Sequence, residues 1–202
     1  MKLYVAPGAC SLAPHIALRE AGVRFDLAIV DLQNKRVDDG SSFAALNPKG
    51  YVPALRLDDG QVLTENVAVL LYIADRYPAA QLAPVGQGLE RYRLIEWLAF
   101  INSELHKGFS PLFSSAALEP TRQYAREHIV RRLDYMQGAL AHADFVSGAR
   151  FTIADAYLFT VLSWCAEVGI DLGRWPALAL YERRLRERPA VLAALKAEGL
   201  VP

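Results

Sequence analysis

Residues 1–22, MKLYVAPGACSLAPHIALREAG, predict a short strand, a tight turn and a helix in direct succession. The apolar run KLYVA is typical of a buried strand, and the Pro-Gly dipeptide after it predicts a turn. The spacing of the next apolar residues predicts a helix with Ser11 as its N-cap and Gly22 at its end. Cys10 is therefore expected directly before the positive end of a helix dipole.

The position of Cys10 allows two interpretations. A helix N-terminus lowers the pKa of a thiol from about 8.5 into the ~3.5–7.5 range, which would make Cys10 a reactive thiolate. An inert, buried cysteine fits the same local sequence equally well. A dithiol cycle within the chain is disfavoured, because no second cysteine lies within three residues. The other cysteine, Cys165, follows a tryptophan in an apolar helical segment and is expected in the core.

The first third of the chain changes between strand and helix periodicity. Residues 24–32 are rich in apolar and β-branched side chains and predict a second strand. Residues 53–64 alternate around an Asp-Gly pair, which is a strong signal for a β-hairpin. Residues 65–77 form a nearly continuous apolar helical pattern. This order of elements predicts a small α/β domain over residues 1–78.

Beyond a connector rich in Pro and Gly at residues 79–88, only helical patterns occur. Residues 89–202 are therefore predicted to form an all-helical domain. The sequence FTIAD within it contains Thr152 and Asp155 at the spacing of a capping box, which predicts a helix start with a structural role. The fold class expected from the whole chain is α/β followed by all-α.

Composition excludes several functional classes. Lys plus Arg total 22 and Asp plus Glu total 22 among 202 residues, so no net charge attracts nucleic acid or an anionic membrane. No apolar run approaches the ~20 residues of a membrane span. Histidines, cysteines and carboxylates form no cluster with metal-ligand spacing, so no metal is predicted. Two distant cysteines without an export signal favour a reducing cytoplasm.

Five segments in order, MKLYVAPGACSLAPHIALREAG, NPKGYVPAL, LTENVAVLLYIAD, ELHKGFSPLF and FTIADAYLF, resemble the bacterial beta-class cytosolic glutathione S-transferases. The resemblance runs over essentially the whole chain. It implies the cytosolic glutathione transferase fold, with a thioredoxin-like N-terminal domain and an all-helical C-terminal domain. It also implies a homodimer that uses glutathione as cosubstrate and acts on small hydrophobic electrophiles in xenobiotic detoxification.

The resemblance assigns roles around two segments of the first domain. In YVP, a cis Pro53 would leave the backbone of Val52 to pair with the cysteinyl unit of glutathione. In LTEN, Asn66 and the helix N-terminus would bind the γ-glutamyl carboxylate, while Glu65 would hold the ammonium group. Lys35 would pair with the glycyl carboxylate. The alternatives are a strand-start proline, ordinary helix capping and a solvated loop lysine.

The segment ELHK of the second domain is implied to border the glutathione sulfur in a cleft between the domains. His106 would donate a hydrogen bond to the thiolate, and Lys107 would add positive charge. A solvent-exposed polar helix face is the alternative. The implied catalytic residues are Cys10, Ser11 and His106, and the implied glutathione-binding residues are Cys10, Lys35, Tyr51, Val52, Pro53, Glu65, Asn66, Ser103, Glu104, His106 and Lys107.

The sequence leaves more than one function open. The first hypothesis is conjugation of glutathione to hydrophobic electrophiles, together with a thiol transferase or reductase activity in which Cys10 forms a mixed disulfide with glutathione. Glutathione-dependent dehalogenation of aromatic xenobiotics and non-catalytic ligand binding are the alternatives. Val5, Asn66 and Ala99 stand where aromatic, small and Asn residues are frequent in the family. These departures concern the shape and polarity of the pocket.

Overall fold

A computed structural model describes residues 1–202. The strands are β1 (Lys2–Val5), β2 (Asp26–Asp31), β3 (Arg36–Val37), β4 (Ala54–Arg56) and β5 (Val62–Thr64). The helices are α1 (Leu12–Glu20), α2 (Phe43–Leu46), α3 (Asn66–Arg76), α4 (Leu89–Phe100), α5 (Lys107–Phe113), α6 (Glu119–Leu140), α7 (Ile153–Glu167), α8 (Pro176–Arg186) and α9 (Pro189–Ala197). A π-helical segment, Ile101–His106, joins α4 to α5.

The strands form one mixed sheet in the order β3-β2-β1-β4-β5. β1 pairs in parallel with β2 and antiparallel with β4, so that Leu3 lies between Leu27 and Leu55. The parallel pair requires a crossover, which α1 supplies. The predicted α/β fold of this part is confirmed, whereas the two-residue strand β3 lies where the sequence predicts a polar loop.

Two compact units make up the chain, and the first contains residues 1–85 together with 188–202. Every residue of α1 from Leu12 to Leu18 is buried, because α3 and α9 both pack against this helix. The C-terminal segment thus completes the core around α1. The sequence-based boundary at 79–88 stays a prediction, and the compact units differ from it in the placement of residues 188–202.

The second unit contains residues 86–187 and is entirely helical apart from its loops. Its core is α7, whose residues Ile153–Leu162 are all buried. The capping box at Thr152 and Asp155 is present, and the buried Asp155 carboxylate also accepts a hydrogen bond from Tyr181. The predicted all-helical class of this unit is confirmed. None of the helices combines the length and the hydropathy that crossing a membrane requires.

Candidate active site

The loop between β1 and α1 carries Cys10, and hydrogen bonds of Ser11 hold this loop in place. Ser11 occupies the N-cap position, as predicted, but its hydroxyl does not cap the helix. The hydroxyl is fully buried, accepting from the Ala6 N–H at 3.2 Å and lying 3.4 Å from the Ala6 carbonyl oxygen. Ser11 therefore closes the turn that carries the half-buried Cys10, and this contact favours a structural role for its hydroxyl.

The thiol of Cys10 reaches the backbone of a distant segment. Its Sγ donates a hydrogen bond to the Val52 carbonyl oxygen at 3.2 Å. The peptide bond between Val52 and Pro53 is cis, as the resemblance implies. Neither Cys10 nor Cys165 forms a disulfide. The structure thus brings together the thiol and the backbone segment that the sequence assigns to the cysteinyl unit of glutathione.

Glu65 is the centre of a small polar cluster at the start of α3. One carboxylate oxygen accepts from Lys49 Nζ at 2.6 Å and from the Tyr51 hydroxyl at 2.8 Å. These hydrogen bonds to Glu65 raise the pKa of both Lys49 and Tyr51. Glu65 has a φ of 69°, a conformation that costs a non-glycine residue of order 1–3 kcal/mol. Such strain is concentrated at functional sites, which supports the assignment of Glu65.

Asn66, the first residue of α3, carries a buried side chain that lacks partners. Only 5% of the residue is exposed, yet neither the amide oxygen nor the amide nitrogen has a hydrogen-bond partner. Buried polar groups in proteins are nearly always hydrogen-bonded, and an exception calls for an explanation. The unpaired N–H groups of a helix N-terminus lie at the same place, which is favourable for an anion. Asn66 and this helix end can together take a carboxylate.

Lys35 lies against the turn that precedes Tyr51. Its Nζ donates to the Gly50 carbonyl oxygen at 2.7 Å, and its own φ is 54°. Gly50 has a φ of 72°, and a Cβ built there would lie 3.4 Å from Lys35 Cε. The turn therefore needs a glycine for its backbone conformation, whereas the space beside the lysine would admit a Cβ.

Lys49 is a further residue of this cluster, one that its sequence context did not identify. Besides Glu65, its Nζ contacts the Thr64 hydroxyl at 2.9 Å. The sequence feature that could have pointed to Lys49 is its position in the segment NPKGYVP, two residues before Tyr51. A turn lysine in isolation is indistinguishable from a solvated one, and only the return of β5 beside it makes the contact.

In the second unit, the predicted residues Ser103 and Glu104 make contacts within their own helical surroundings. The Ser103 hydroxyl donates to the Ala99 carbonyl oxygen at 3.0 Å. The Glu104 carboxylate lies 2.6 Å from an Arg132 guanidinium nitrogen, and His128 contacts the Glu104 backbone oxygen at 2.9 Å. The Glu104 side chain thus ties the π-helical segment to α6.

His106 is half-buried at the end of the π-helical segment, while Lys107 beside it is exposed. Its Nδ1 lies 2.6 Å from the Tyr157 hydroxyl, and its ring packs edge-on against Trp164 with centroids 5.1 Å apart. Burial, and secondly the charge of Lys107, lower the pKa of His106 to about 4. His106 is therefore a neutral imidazole near pH 7. Tyr157 and Trp164 were not assigned to the site from sequence, because 51 residues separate Tyr157 from His106.

The described residues contain no group of three or more His, Cys, Asp or Glu side chains that could hold a metal ion. The chemistry available is that of a thiol, a neutral imidazole, a buried amide and a carboxylate with two donors. The groups of the first unit suit recognition of a zwitterionic peptide, and the neutral imidazole of the second unit suits handling of a proton.

Comparison with known proteins gives a consistent result for both units. A family described as "Glutathione S-transferase, N-terminal domain" matches residues 8–76, and one described as "Glutathione S-transferase, C-terminal domain" matches residues 100–189. Glutathione S-transferase GstA of Escherichia coli O157:H7 is 50% identical over 200 residues, covering 99% of this chain and 100% of the relative.

Solved structures agree with the sequence comparison. The bacterial beta class glutathione S-transferase of Sphingomonas chungbukensis has a TM-score of 0.97 at 51% identity, with 100% of both chains covered. A sphingomonad glutathione S-transferase complexed with glutathione has a TM-score of 0.96 at 50% identity, again with 100% of both chains covered.

Proposed function

Because the chain belongs to the bacterial beta-class glutathione S-transferases, with glutathione as its cosubstrate, we propose which of its residues perform each step. The γ-glutamyl carboxylate binds at Asn66 and the N-terminus of α3, and Glu65 holds the neighbouring ammonium group. The backbone of Val52 pairs with the cysteinyl unit. Lys35 binds the glycyl carboxylate.

The observation that carries this proposal is the unpartnered, buried amide of Asn66. An unsatisfied buried polar group costs about 1–3 kcal/mol, and a bound carboxylate would recover the part of this cost that is due to the Nδ2 donor. Glu65 is supported by a different argument, because hydrogen bonds from Lys49 and Tyr51 hold its carboxylate in a fixed orientation, and a carboxylate is the natural partner of a ligand ammonium group. Tyr51 and Lys49 would thus orient Glu65, and Pro53 completes the segment that carries Val52.

We propose that the glutathione sulfur lies near Cys10 and that His106 and Lys107 favour its thiolate. Conjugation then proceeds by attack of this sulfur on the electrophile, whose leaving group departs with the electron pair of its bond. Ser103 and Glu104 are retained as binding candidates, although Glu104 already pairs with Arg132. Ser11 is assigned the role of holding the Cys10 turn, in accordance with its buried contacts to Ala6.

The electrophile is proposed to be small and hydrophobic, and to bind the second unit. Trp164 packs edge-on against Phe109 and Phe113 at centroid distances of 5.6 and 5.7 Å, beside His106. Phe113 is 49% exposed, so part of this aromatic cluster is accessible to a ligand. Aromatic side chains of this kind favour a flat apolar substrate such as an aromatic halide.

A second activity, thiol transfer at Cys10, is favoured by one specific observation. The Cys10 thiol is half-buried, and its hydrogen bond to the Val52 carbonyl oxygen holds it where the cysteinyl unit of glutathione is proposed to pair. In this activity the Cys10 thiolate attacks one sulfur of oxidised glutathione, forms a mixed disulfide and releases the other half as glutathione thiolate.

We further propose a cytoplasmic homodimer formed through α4 and α6. Leu89, Tyr92 and Tyr135 are 69%, 57% and 56% exposed, which is unusual for large apolar side chains at neighbouring positions. Tyr135 also packs against Trp97 and Phe100, so aromatic side chains of both helices meet towards the end of α4. Light scattering on a Tyr92→Lys variant tests this face, because a retained dimer mass would exclude it.

The binding proposal is tested by glutathione turnover of an aromatic chloride in Glu65→Gln. Loss of a hydrogen bond to a charged group costs about 1.5–3 kcal/mol, so KM for glutathione rises by about 10–100-fold. Glu90→Gln, an exposed change on α4, serves as the matched control and keeps the natural KM. An unchanged KM in Glu65→Gln would overturn the assignment of Glu65 to the ammonium group.

A further inference from the structure

The π-helical segment Ile101–His106 directs two polar side chains at one buried tyrosine. Asn102 and His106 lie four residues apart, and both contact the hydroxyl of Tyr157 on α7. Tyr157 is fully buried, and its ring is held in the core of the second unit. π-Helical turns are rare and occur often at functional sites, which makes this cluster a candidate for a role in chemistry.

The single proton of the Tyr157 hydroxyl determines the proton positions of its neighbours. The hydroxyl donates to Asn102 Oδ1 at 3.0 Å. At the 2.6 Å contact with His106 Nδ1 it must then accept, so Nδ1 carries a hydrogen. A neutral imidazole has one N–H, and Nε2 is consequently the acceptor nitrogen of His106.

The ring of His106 is also fixed in orientation. It packs edge-on against Tyr157 with centroids 5.8 Å apart and against Trp164 at 5.1 Å. A ring flip would put Cδ2 in the place of Nδ1 and would break the short contact to Tyr157. The Tyr157 hydroxyl therefore sets the tautomer, and the rings of Tyr157 and Trp164 set the orientation.

We propose that Tyr157 and Asn102 are positioning residues that hold His106 in its Nδ1–H tautomer, so that Nε2 accepts the thiol proton of glutathione. This inference rests on the proposed function, in which His106 acts on the glutathione sulfur. The S–H bond breaks, its electron pair stays on sulfur, and an Nε2–H bond forms. The imidazolium then donates Nδ1–H to Tyr157 and Nε2–H to the thiolate.

This order of events modifies the role that the resemblance implies for His106. A neutral Nδ1–H imidazole has no hydrogen on Nε2 and cannot donate to a thiolate until it has taken the proton of the thiol. The burial that keeps His106 neutral without substrate is offset by the negative charge of the new thiolate beside it. His106 is thus a proton acceptor first and a hydrogen-bond donor afterwards.

The tautomer is measured directly by two-bond ¹⁵N–¹H correlation spectra of protein labelled with ¹⁵N-histidine. The spectrum of His106→Gln identifies the His106 signals. The natural protein is expected to show the Nδ1–H pattern, and Tyr157→Phe, which keeps the ring and removes the hydroxyl, is expected to lose it. An Nε2–H pattern in the natural protein overturns the inference whatever the activity.

Kinetics test the consequence for the reaction. Tyr157→Phe lowers kcat for conjugation by about tenfold or more, because a misplaced base loses much of its ~10²–10⁴-fold contribution, while KM for glutathione stays within about twofold. Asn102→Ala lowers kcat in the same direction. Asn102→Asp restores it, because a carboxylate can only accept and so keeps Tyr157 donating to residue 102.

A matched control separates positioning from stability. Tyr181→Phe also removes a buried hydroxyl with a hydrogen bond in the same unit, but it does not contact His106, so kcat is unchanged. An unchanged kcat in Tyr157→Phe overturns the inference. A natural kcat in His106→Gln would remove His106 from the proposed function itself, and the tautomer spectrum would still report independently on Tyr157 and Asn102.

Discussion

The Cys10 thiol lies 3.2 Å from the Val52 carbonyl oxygen, across 42 residues of sequence. The contact joins the start of α1 to the segment before β4. It gives the thiol a defined place beside the backbone that pairs with the cysteinyl unit of glutathione in our proposal. Substitution of Cys10 can therefore test the reactivity of its thiol separately from the conjugation reaction.

Cys10 is expected to be glutathionylated without being essential for conjugation. Treatment with oxidised glutathione should add one glutathionyl group to the natural protein and none to Cys10→Ala, as read by intact mass. Cys10→Ala should keep conjugation within about tenfold, because the nucleophile is the sulfur of glutathione. Cys165→Ala is the control and should still be modified, since burial raises the pKa of Cys165 to about 12. A natural protein without adduct would exclude thiol transfer.

Asn66→Ala is expected to change stability and affinity in opposite directions. Removing the unpartnered amide should stabilise the protein without glutathione by about 1 kcal/mol, or about 2–4 °C in Tm. KM for glutathione should rise by about tenfold, since the carboxylate loses a donor. Thermal unfolding without ligand and steady-state kinetics measure the two effects.

Asn47→Ala provides the comparison for Asn66. Asn47 is also a buried amide, but its Nδ2 donates to the Tyr51 carbonyl oxygen at 2.7 Å, and its Oδ1 accepts from the Lys49 N–H. Its removal should therefore lower Tm. A lower Tm in Asn66→Ala as well would show that the Asn66 amide finds partners in the protein without ligand.

The low pKa of His106 predicts a loss of stability in acid. Its folded-state pKa of about 4 lies below the ordinary 6.5, so the unfolded chain binds more protons between these values. The stability present above pH 6.5 should decrease as the pH falls towards 4, by up to about 2–3 kcal/mol. Urea unfolding of the natural protein and of His106→Gln at pH 7.5 and 4.5 isolates the contribution of His106 to the free energy of unfolding. An equal decrease in this free energy in both proteins would contradict the prediction.

Glu198 is expected to be essential for the stability of the first unit. Its carboxylate is fully buried, 2.8 Å from His15 Nδ1 and 3.0 Å from the Gly8 N–H, and it ties the C-terminal segment to α1 and to the Cys10 loop. Breaking a buried pair costs about 3–5 kcal/mol, so Glu198→Ala should lower the free energy of unfolding by about that amount. Exposed Glu187→Ala should change it by less than about 0.5 kcal/mol. Chemical unfolding of both variants measures these two changes in the free energy of unfolding.

Elements with strong local signals were predicted correctly from sequence. The hairpin followed from its Asp-Gly turn, the strand-turn-helix of residues 2–20 from its punctuation, and α7 from its capping box. Strand β3 was missed because Arg36 and Val37 pair with β2 only once the loop folds back. No periodicity exists in two residues, so nothing local could reveal it.

Part of the candidate site was also visible in the sequence. The segments that carry Cys10, Val52, Glu65 and Asn66 stood out through their turns, helix starts and resemblance. Lys49 and Asn102 did not, because a turn lysine and a helical asparagine gain their meaning from partners elsewhere in the fold. Their contacts to Glu65 and Tyr157 depend on side-chain positions that no spacing rule contains.

The sequence by itself determined the order of elements, the α/β and helical classes, the family and the use of glutathione, because periodicity, capping residues and motif order are local properties of the chain. Only the tertiary structure decided which polar groups meet. It left the Asn66 amide buried without partners, paired His15 with Glu198, and placed the Tyr157 hydroxyl between Asn102 and His106. Hydrogen bonds act over about 3 Å, and only folding brings residues that are tens to hundreds of positions apart within that range.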